Sequence, residues 1–162
     1  MRAVPQETRA PVPDRRFGYA WLALCGALAI HVTDEALTDF LSVYNPAVHA
    51  IRARLPFLPL PTFTFETWLT GLILGILVLS VLSVLAFRGR RLAAWLAYPY
   101  AAIMLANGLG HFGGSIYLGR WMPGVYSAPL LLFASVLLFV RAREAHRRAR
   151  AADSGERATA GH

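Results

Sequence analysis

Two long apolar stretches of this 162-residue chain contain side chains that could do chemistry. The first stretch holds His31, Asp34 and Glu35, which share one face of a helix because they lie within four residues of one another. The second holds Asn107 and His111, which are four residues apart and therefore also share a face. Imidazole nitrogens and carboxylate oxygens together form a mixed site that suits zinc, iron or manganese. We therefore predict His31, Glu35 and His111 as metal ligands.

The other polar residues nearby are assigned roles at the same site. Asp34 is interpreted as a further metal ligand or as a general base, and Glu35 is the second candidate catalytic carboxylate. Asn107 is interpreted as a cofactor-binding amide that orients the ligands. Glu66 opens the next apolar stretch and is a further candidate ligand, although the helix dipole alone favours a carboxylate there. Asp39 is expected at the outer membrane interface.

The cost of burying charge limits how these residues can be explained. A charged side chain at the centre of a membrane costs about 2.5 to 3.5 kcal/mol on insertion scales, so such residues are rare and usually paired or functional. A purely structural interpretation pairs His31 with Glu35 in the core and connects both to Asn107 and His111 by hydrogen bonds. This interpretation and the metal site both stay open at the level of sequence.

The composition indicates that membrane helices position these residues. The chain is 56% hydrophobic with a mean hydropathy of +0.46, well above the average for soluble domains. We predict an all-α bundle of about four transmembrane helices within residues 17–141, with basic disordered tails at residues 1–16 and 142–162. The predicted spans cover residues of about 17–41, 67–87, 92–117 and 125–141.

The distribution of arginines predicts the orientation of this bundle. Residues 1–16, residues 88–91 and the chain from Arg141 onward hold 13 of the 16 basic residues, and all 16 are arginine. The positive-inside rule then places both termini in the cytoplasm. The net charge of +7 is explained by topology and by contact with anionic lipid, so nucleic acid is not expected as a partner. The exclusive use of arginine favours a bacterial source. We therefore expect a multi-pass protein that is integral to the bacterial inner membrane, the plasma membrane of the cell.

The depths of the polar residues match between the first and third predicted helices. Measured from Arg16, His31 lies about 22 Å and Glu35 about 28 Å along the first helix. Measured from the arginine that opens the third helix, Asn107 lies at about 24 Å and His111 at about 30 Å. The sequence therefore predicts one polar site in the outer half of the bundle, between these two helices.

Three short motifs resemble those of a known family. Residues 31–35 (HVTDE) resemble the HXXEE motif that names a family of bacterial and archaeal membrane proteins of unknown function. Residues 107–111 (NGLGH) are similar to its NXXXH motif, and residues 123–127 (PGVYS) to its PGXXT motif, in the same order along the chain. Asp34 stands where the family has a glutamate, and Ser127 where it has a threonine. The resemblance implies a multi-pass membrane protein and supports the site, but it implies no reaction.

The residues leave several functions open. The leading hypothesis is a metal-dependent membrane enzyme that acts on a lipid or another hydrophobic substrate. The alternatives are a small transporter or proton-coupled carrier, a metal-free isomerase or amine-binding pocket, and a purely structural membrane protein. The expected partners are membrane lipids, and a homo-oligomer is an open alternative because four spans alone leave little room for transport.

Overall fold

The described part of the chain is built from helices. The computed structural model describes residues 14–160, with side chains described to residue 151, and all regular secondary structure in that range is helical. The helices are α1 (Arg15–Leu37), α2 (Leu41–Arg54), α3 (Phe65–Phe87), α4 (Arg91–Leu118) and α5 (Ala128–Ala160). The predicted all-α fold is confirmed. Of the predicted N-terminal tail, residues 1–13 lie outside the described residues, as do residues 161 and 162.

Helices α1, α3 and α4 are long and apolar enough to cross a membrane. Helix α5 offers a shorter apolar stretch, since its 13 residues from Ala128 to Val140 are followed by Arg141. Thirteen helical residues extend about 20 Å, whereas the hydrocarbon core of a bilayer is about 30 Å thick. Three helices are thus compatible with a membrane protein, while the fourth span stays a prediction.

Helix α1 lies between α3 and α5, and α5 packs along α4. Trp21 and Leu24 of α1 and Leu131 and Leu138 of α5 are at most 1% exposed and form the centre of the core. The indole N–H of Trp21 also donates to the carbonyl of Leu79 in α3 at 2.8 Å, which joins α1 to α3. Because α1 touches α4 over a short stretch, polar groups can occupy the space between these two helices at one end.

Helix α1 ends at Leu37, four residues before the end of the predicted span. Asp39 follows with a φ of 57°, in the left-handed region that stops a right-handed helix. The N–H of Phe40 then donates to the carbonyl of Glu35 at 3.0 Å, the long bond that closes a Schellman motif. Asp39 is exposed at this corner, and the chain turns into α2.

Helix α2 occupies much of the connection between the first two predicted spans. Pro46 lies inside it, where the ring removes the one hydrogen bond that its own nitrogen would donate. The helix continues to Arg54, and the non-helical chain begins at residue 55, where Pro56, Pro59 and Pro61 follow. The amide of Asn45 holds this segment against α2, since it exchanges two hydrogen bonds with the backbone of Phe63.

The start of α1, the end of α3 and the C-terminal half of α5 meet at one end of the bundle. Asp14 caps α1 by accepting from the N–H of Phe17, and its own N–H donates to the carbonyl of Phe87 at 3.1 Å. Arg148 donates to the carboxylate of Asp14 at 3.1 Å. We call this the arginine-rich end, made of residues 14–16, 88–91 and 141–150. The described chain therefore starts and finishes at the same end of the bundle.

Helix α5 continues through the segment that was expected to be a disordered tail from residue 142. Arg141 and Arg148 flank Glu144 at distances of 2.9 and 3.7 Å, at the i,i+3 and i,i+4 spacings that stabilise a helix. The hydrogen bond from Arg141 lowers the pKa of Glu144. Ala142 is fully buried. Ion pairs along the helix and this packing explain why it extends beyond the apolar stretch.

Candidate metal centre

All the predicted site residues except Glu66 meet at the end of the bundle opposite the arginine-rich end. His31, Asp34 and Glu35 lie in the last two turns of α1, and Glu35 is about 30 Å along the helix from Arg15. His111 lies in the last two turns of α4. Because α1 and α4 approach each other there, side chains about 80 positions apart in the chain point into one buried space.

Three ligand atoms converge in this space. Nε2 of His31 lies 3.1 Å from Nε2 of His111, and Oε1 of Glu35 lies 3.1 Å from the latter and 3.6 Å from the former. Among the residues that the structure describes, these three form the group with metal-ligand geometry, with ligand atoms within 4.8 Å of one another. All three are buried, with exposures of 0, 4 and 3% for His31, Glu35 and His111.

Two further side chains, those of Asn107 and Ser127, contact the imidazole of His31. Oδ1 of Asn107 lies 3.0 Å from Nε2 of His31, so the predicted amide is beside the ligand atoms. Nδ1 of His111 is buried and has no hydrogen-bond partner among residues 14–151. The second nitrogen of His31 differs, because its Nδ1 lies 2.9 Å from Oγ of Ser127. The two histidines therefore have different outer environments.

Asp34 lies beside the group and faces Ser127. Its Oδ2 accepts hydrogen bonds from both the hydroxyl and the backbone N–H of Ser127, at 2.7 and 2.9 Å. Asp34 is half-buried, whereas Glu35 is almost fully buried. The structure thus separates the two acidic residues, with Glu35 among the ligand atoms and Asp34 one hydrogen-bonded residue away from His31.

The turn before α5 closes the site. Gly124 has a φ of +84°, and a Cβ atom added there would lie 2.7 Å from Cε1 of His111 and 2.9 Å from Cγ of Glu35. Glycine is needed on both counts, since other residues rarely adopt this φ and the space is filled. The backbone at residue 124 therefore packs directly against two of the three predicted ligands.

A cluster of aromatic side chains covers another side of the three ligand atoms. The ring centroid of Phe40 lies 5.8 Å from that of His111 and 5.9 Å from that of Trp68. Tyr44 stacks on Phe40 at 5.4 Å and also contacts Phe63. The corner after α1, the first turn of α2 and the start of α3 thus shield the ligand atoms from solvent.

Glu66 stands apart from the ligand atoms. It lies in the first turn of α3 and is exposed, the environment expected from the helix dipole alone. The group with metal-ligand geometry is formed without it. Its assignment as a ligand stays a prediction that a variant can test.

Comparison with known proteins identifies the family of the chain. A family model described as a protein of unknown function with HXXEE motif matches residues 21–139. The chain belongs to this family. The family's name describes His31 and Glu35 as the ends of one motif, and both are ligand candidates in the structure. No curated protein and no solved structure matches the chain.

In this HXXEE-family chain, residues 123–127 contribute to the site in a way that the sequence did not predict. No residue of that segment or of the fourth predicted span was assigned to the site. The structure instead places Ser127 against His31 and Asp34, and Gly124 against His111. The signal was present in the resemblance of residues 123–127 to the family's third motif, but a turn needs the same proline and glycine for purely local reasons.

Proposed function

We propose that this protein is a metal-dependent membrane enzyme that holds zinc, iron or manganese between His31, Glu35 and His111. The observation that carries the proposal is the set of distances among their ligand atoms, which range from 3.1 to 3.6 Å. Tetrahedral zinc with bonds of about 2.0 to 2.1 Å separates its ligand atoms by about 3.3 to 3.4 Å. The three side chains already stand at the spacing that such an ion requires.

The charge of the group supports a cation. Glu35 is 4% exposed and its charge needs compensation, because an unpaired carboxylate buried in this way costs several kcal/mol. A divalent ion compensates this charge and binds the lone pairs of both imidazoles at once. Two histidines and one carboxylate are also a ligand set that catalytic zinc sites use, with the fourth position left for water or substrate.

The surrounding residues supply the remaining parts of a catalytic site. Asn107 would orient His31, and Asp34 would act as a base or orienting carboxylate through Ser127. A metal bound in such a site polarises a carbonyl or phosphoryl oxygen, or lowers the pKa of bound water. Hydrolysis or a related transfer at a polar bond is the chemistry that fits this donor set.

The position of the site favours a lipid or another hydrophobic substrate. The site lies at the end opposite the arginine-rich end, about 30 Å along α1. Exposed aromatic side chains surround that end of the molecule: Phe57, Tyr117, Trp121 and Tyr126. Aromatic residues of this kind are enriched at the membrane–water interface, where the polar bonds of lipids lie. We propose four spans in the bacterial inner membrane, with both termini in the cytoplasm.

Elemental analysis of the detergent-purified protein tests the metal. We expect close to one equivalent of zinc, iron or manganese in the wild type, and its loss in His31→Ala and His111→Ala. His49→Ala is the matched control, because His49 is an exposed histidine of α2 and should leave the metal content unchanged. Retention of a full equivalent in both site variants would refute the proposed ligands, and a metal-free wild type would favour the proton-coupled carrier, the metal-free pocket or the structural alternative.

A lipid assay tests the enzyme separately. Metal-loaded protein is reconstituted into liposomes of total bacterial lipid, and the lipid species are followed by mass spectrometry. We expect the wild type to consume at least one species that Glu35→Gln leaves unchanged. Identical lipid profiles with the two proteins, at full metal occupancy of the wild type, would rule out lipid chemistry in these membranes and leave the metal site standing.

A further inference from the structure

The hydroxyl of Ser127 connects a half-buried carboxylate to a fully buried imidazole. Oγ of Ser127 lies 2.7 Å from Oδ2 of Asp34 on one side and 2.9 Å from Nδ1 of His31 on the other. The backbone N–H of Ser127 donates to the same carboxylate oxygen at 2.9 Å. The hydroxyl is itself buried, so its hydrogen bonds must be made within the protein.

The direction of these hydrogen bonds follows from the number of protons available. A serine hydroxyl has one proton to donate and two lone pairs that can accept. Its two oxygen neighbours, Oδ2 of Asp34 at 2.7 Å and the carbonyl of Gly124 at 3.2 Å, both act as acceptors. The hydroxyl proton is therefore used by one of these oxygens, and Oγ accepts from an N–H at Nδ1 of His31.

We infer that Ser127, held by Asp34, is a positioning residue that keeps the proton of His31 on Nδ1 and its lone pair on Nε2. The inference rests on the proposed metal site, since the tautomer matters there because a metal binds the unprotonated nitrogen. Nε2 is the atom that faces Glu35 and His111 at 3.6 and 3.1 Å. The hydroxyl thus prepares one ligand before a metal arrives.

This tautomer determines which amide atom of Asn107 can face Nε2 of His31. Its Oδ1 lies 3.0 Å from Nε2 of His31, and two acceptors cannot form a hydrogen bond. A half-turn of the amide presents its Nδ2 donor to the same nitrogen with no change in shape. In the metal-free protein, Asn107 is therefore expected to donate to Nε2, which satisfies the lone pair until a metal displaces that bond.

The tautomer is measured directly by nitrogen NMR of the imidazoles in metal-free protein labelled at histidine. We expect His31 in the Nδ1–H form in the wild type and in Ser127→Thr, which keeps the hydroxyl. Ser127→Val has the same shape as threonine but lacks the hydroxyl, and we expect the Nδ1–H preference to be lost there. An unchanged Nδ1–H form in Ser127→Val would overturn the inference.

The consequence for the ligand is measured by zinc competition with a chelator of known affinity. Loss of an outer hydrogen bond to a metal-binding histidine typically weakens metal binding about 10- to 100-fold, which we expect for Ser127→Val. Ser127→Thr should bind zinc as the wild type does. Ser135→Ala is the control for losing a buried hydroxyl from α5, the helix that follows Ser127, because Ser135 donates to the carbonyl of Leu131 and lies away from the site.

The two measurements separate this inference from the metal site itself. Equal zinc affinity in Ser127→Val and Ser127→Thr would overturn the positioning role while leaving the site intact. A wild type that binds no zinc, iron or manganese would refute the metal site, and the NMR comparison would still decide whether Ser127 sets the tautomer. If Ser127→Val does not fold, Asp34→Asn replaces it, and unchanged zinc affinity and tautomer in that variant would contradict the role given to the carboxylate.

Discussion

The Nε2 atoms of His31 and His111 lie 3.1 Å apart, although 80 residues separate them in the chain. Their rings are close to perpendicular, at 79°, with centroids 4.6 Å apart. With Glu35 equally close to His111, three groups that each bind cations surround one point. This convergence is what the proposals on metal binding and on Ser127 both depend on.

The contact between Gly124 and the ligands predicts that Gly124→Ala disrupts the site. A left-handed φ costs a residue with a Cβ atom about 1 to 2 kcal/mol. The new methyl group would also meet His111 and Glu35 at less than 3.0 Å, and overpacking of this kind adds about 1 to 3 kcal/mol. We expect a lower melting temperature together with a loss of bound metal, measured by thermal unfolding and elemental analysis.

Gly119→Ala is the matched control for that substitution. Gly119 also has a positive φ, of 63°, but a Cβ atom there would have nothing within 4 Å. Gly119→Ala should therefore lower the melting temperature only by the cost of the backbone strain, and it should keep its metal. Equal losses of stability in the two variants, with metal retained in both, would contradict the packing of residue 124 against the ligands.

Removal of the metal should lower the stability of the wild type. A ligand that binds the folded state at 100 times its Kd stabilises that state by about 2.7 kcal/mol. For a domain of this size, we expect a chelator to lower the melting temperature by about 5 to 10 °C. His31→Ala should unfold at the same temperature with and without the chelator. A wild type that is insensitive to chelator, despite bound metal, would indicate that the ion sits elsewhere.

Glu35 and Glu66 should respond differently to the loss of their charge. Glu35→Gln removes an anionic ligand from a buried group, and we expect metal affinity to fall at least 10-fold, measured by chelator competition. Glu66→Gln alters an exposed carboxylate in the first turn of α3, and we expect little change. A comparable loss of affinity in both variants would support Glu66 as a ligand.

The sequence predicted which buried ionisable side chains lie together better than it predicted the path of the chain around them. His31, Glu35 and His111 could be found because ionisable residues stand out in apolar stretches, and helical periodicity with the rise per residue matched their depths. The end of α1 could not be found in this way. Apolar residues continue past Leu37, whereas the helix stops because Asp39 adopts a left-handed conformation that depends on the closing bond from Phe40.

The hydrogen bonds between Asp34 and Ser127 could not be predicted from the sequence, because they also depend on contacts between distant segments. Asp34 shares a helical face with His31 and Glu35, so periodicity alone made it an equivalent ligand. The structure separates it because Ser127, 93 positions away, supplies two donors to its carboxylate. Pairing across such a distance depends on how α5 docks against α1, and nothing local to either segment specifies it. The extension of α5 beyond Val140 depends likewise on its ion pairs and on its contact with Asp14.

The position of α5 predicts which parts of the chain share a side of the membrane. The ion pair between Arg148 and Asp14, at 3.1 Å, places the C-terminal half of α5 beside the start of α1. Phe57 follows α2 at the other end, and α1 alone is about 34 Å long. Cysteines introduced at Arg16 and Ala151, which are both exposed, should therefore react from one side, and a cysteine at Phe57 from the other.

A membrane-impermeant maleimide, applied to right-side-out and to inverted vesicles, measures this arrangement. The single native cysteine, Cys25, is buried and is first replaced by alanine, so that each new thiol is the target. By the positive-inside rule, Arg16→Cys and Ala151→Cys should react in inverted vesicles, and Phe57→Cys in right-side-out vesicles. Reaction of Arg16→Cys and Ala151→Cys from opposite sides would mean that α5 does not cross the membrane. The 13 apolar residues of α5 would then be too few to span the bilayer, and α5 could not pack along α1 and α4 as it does in the structure.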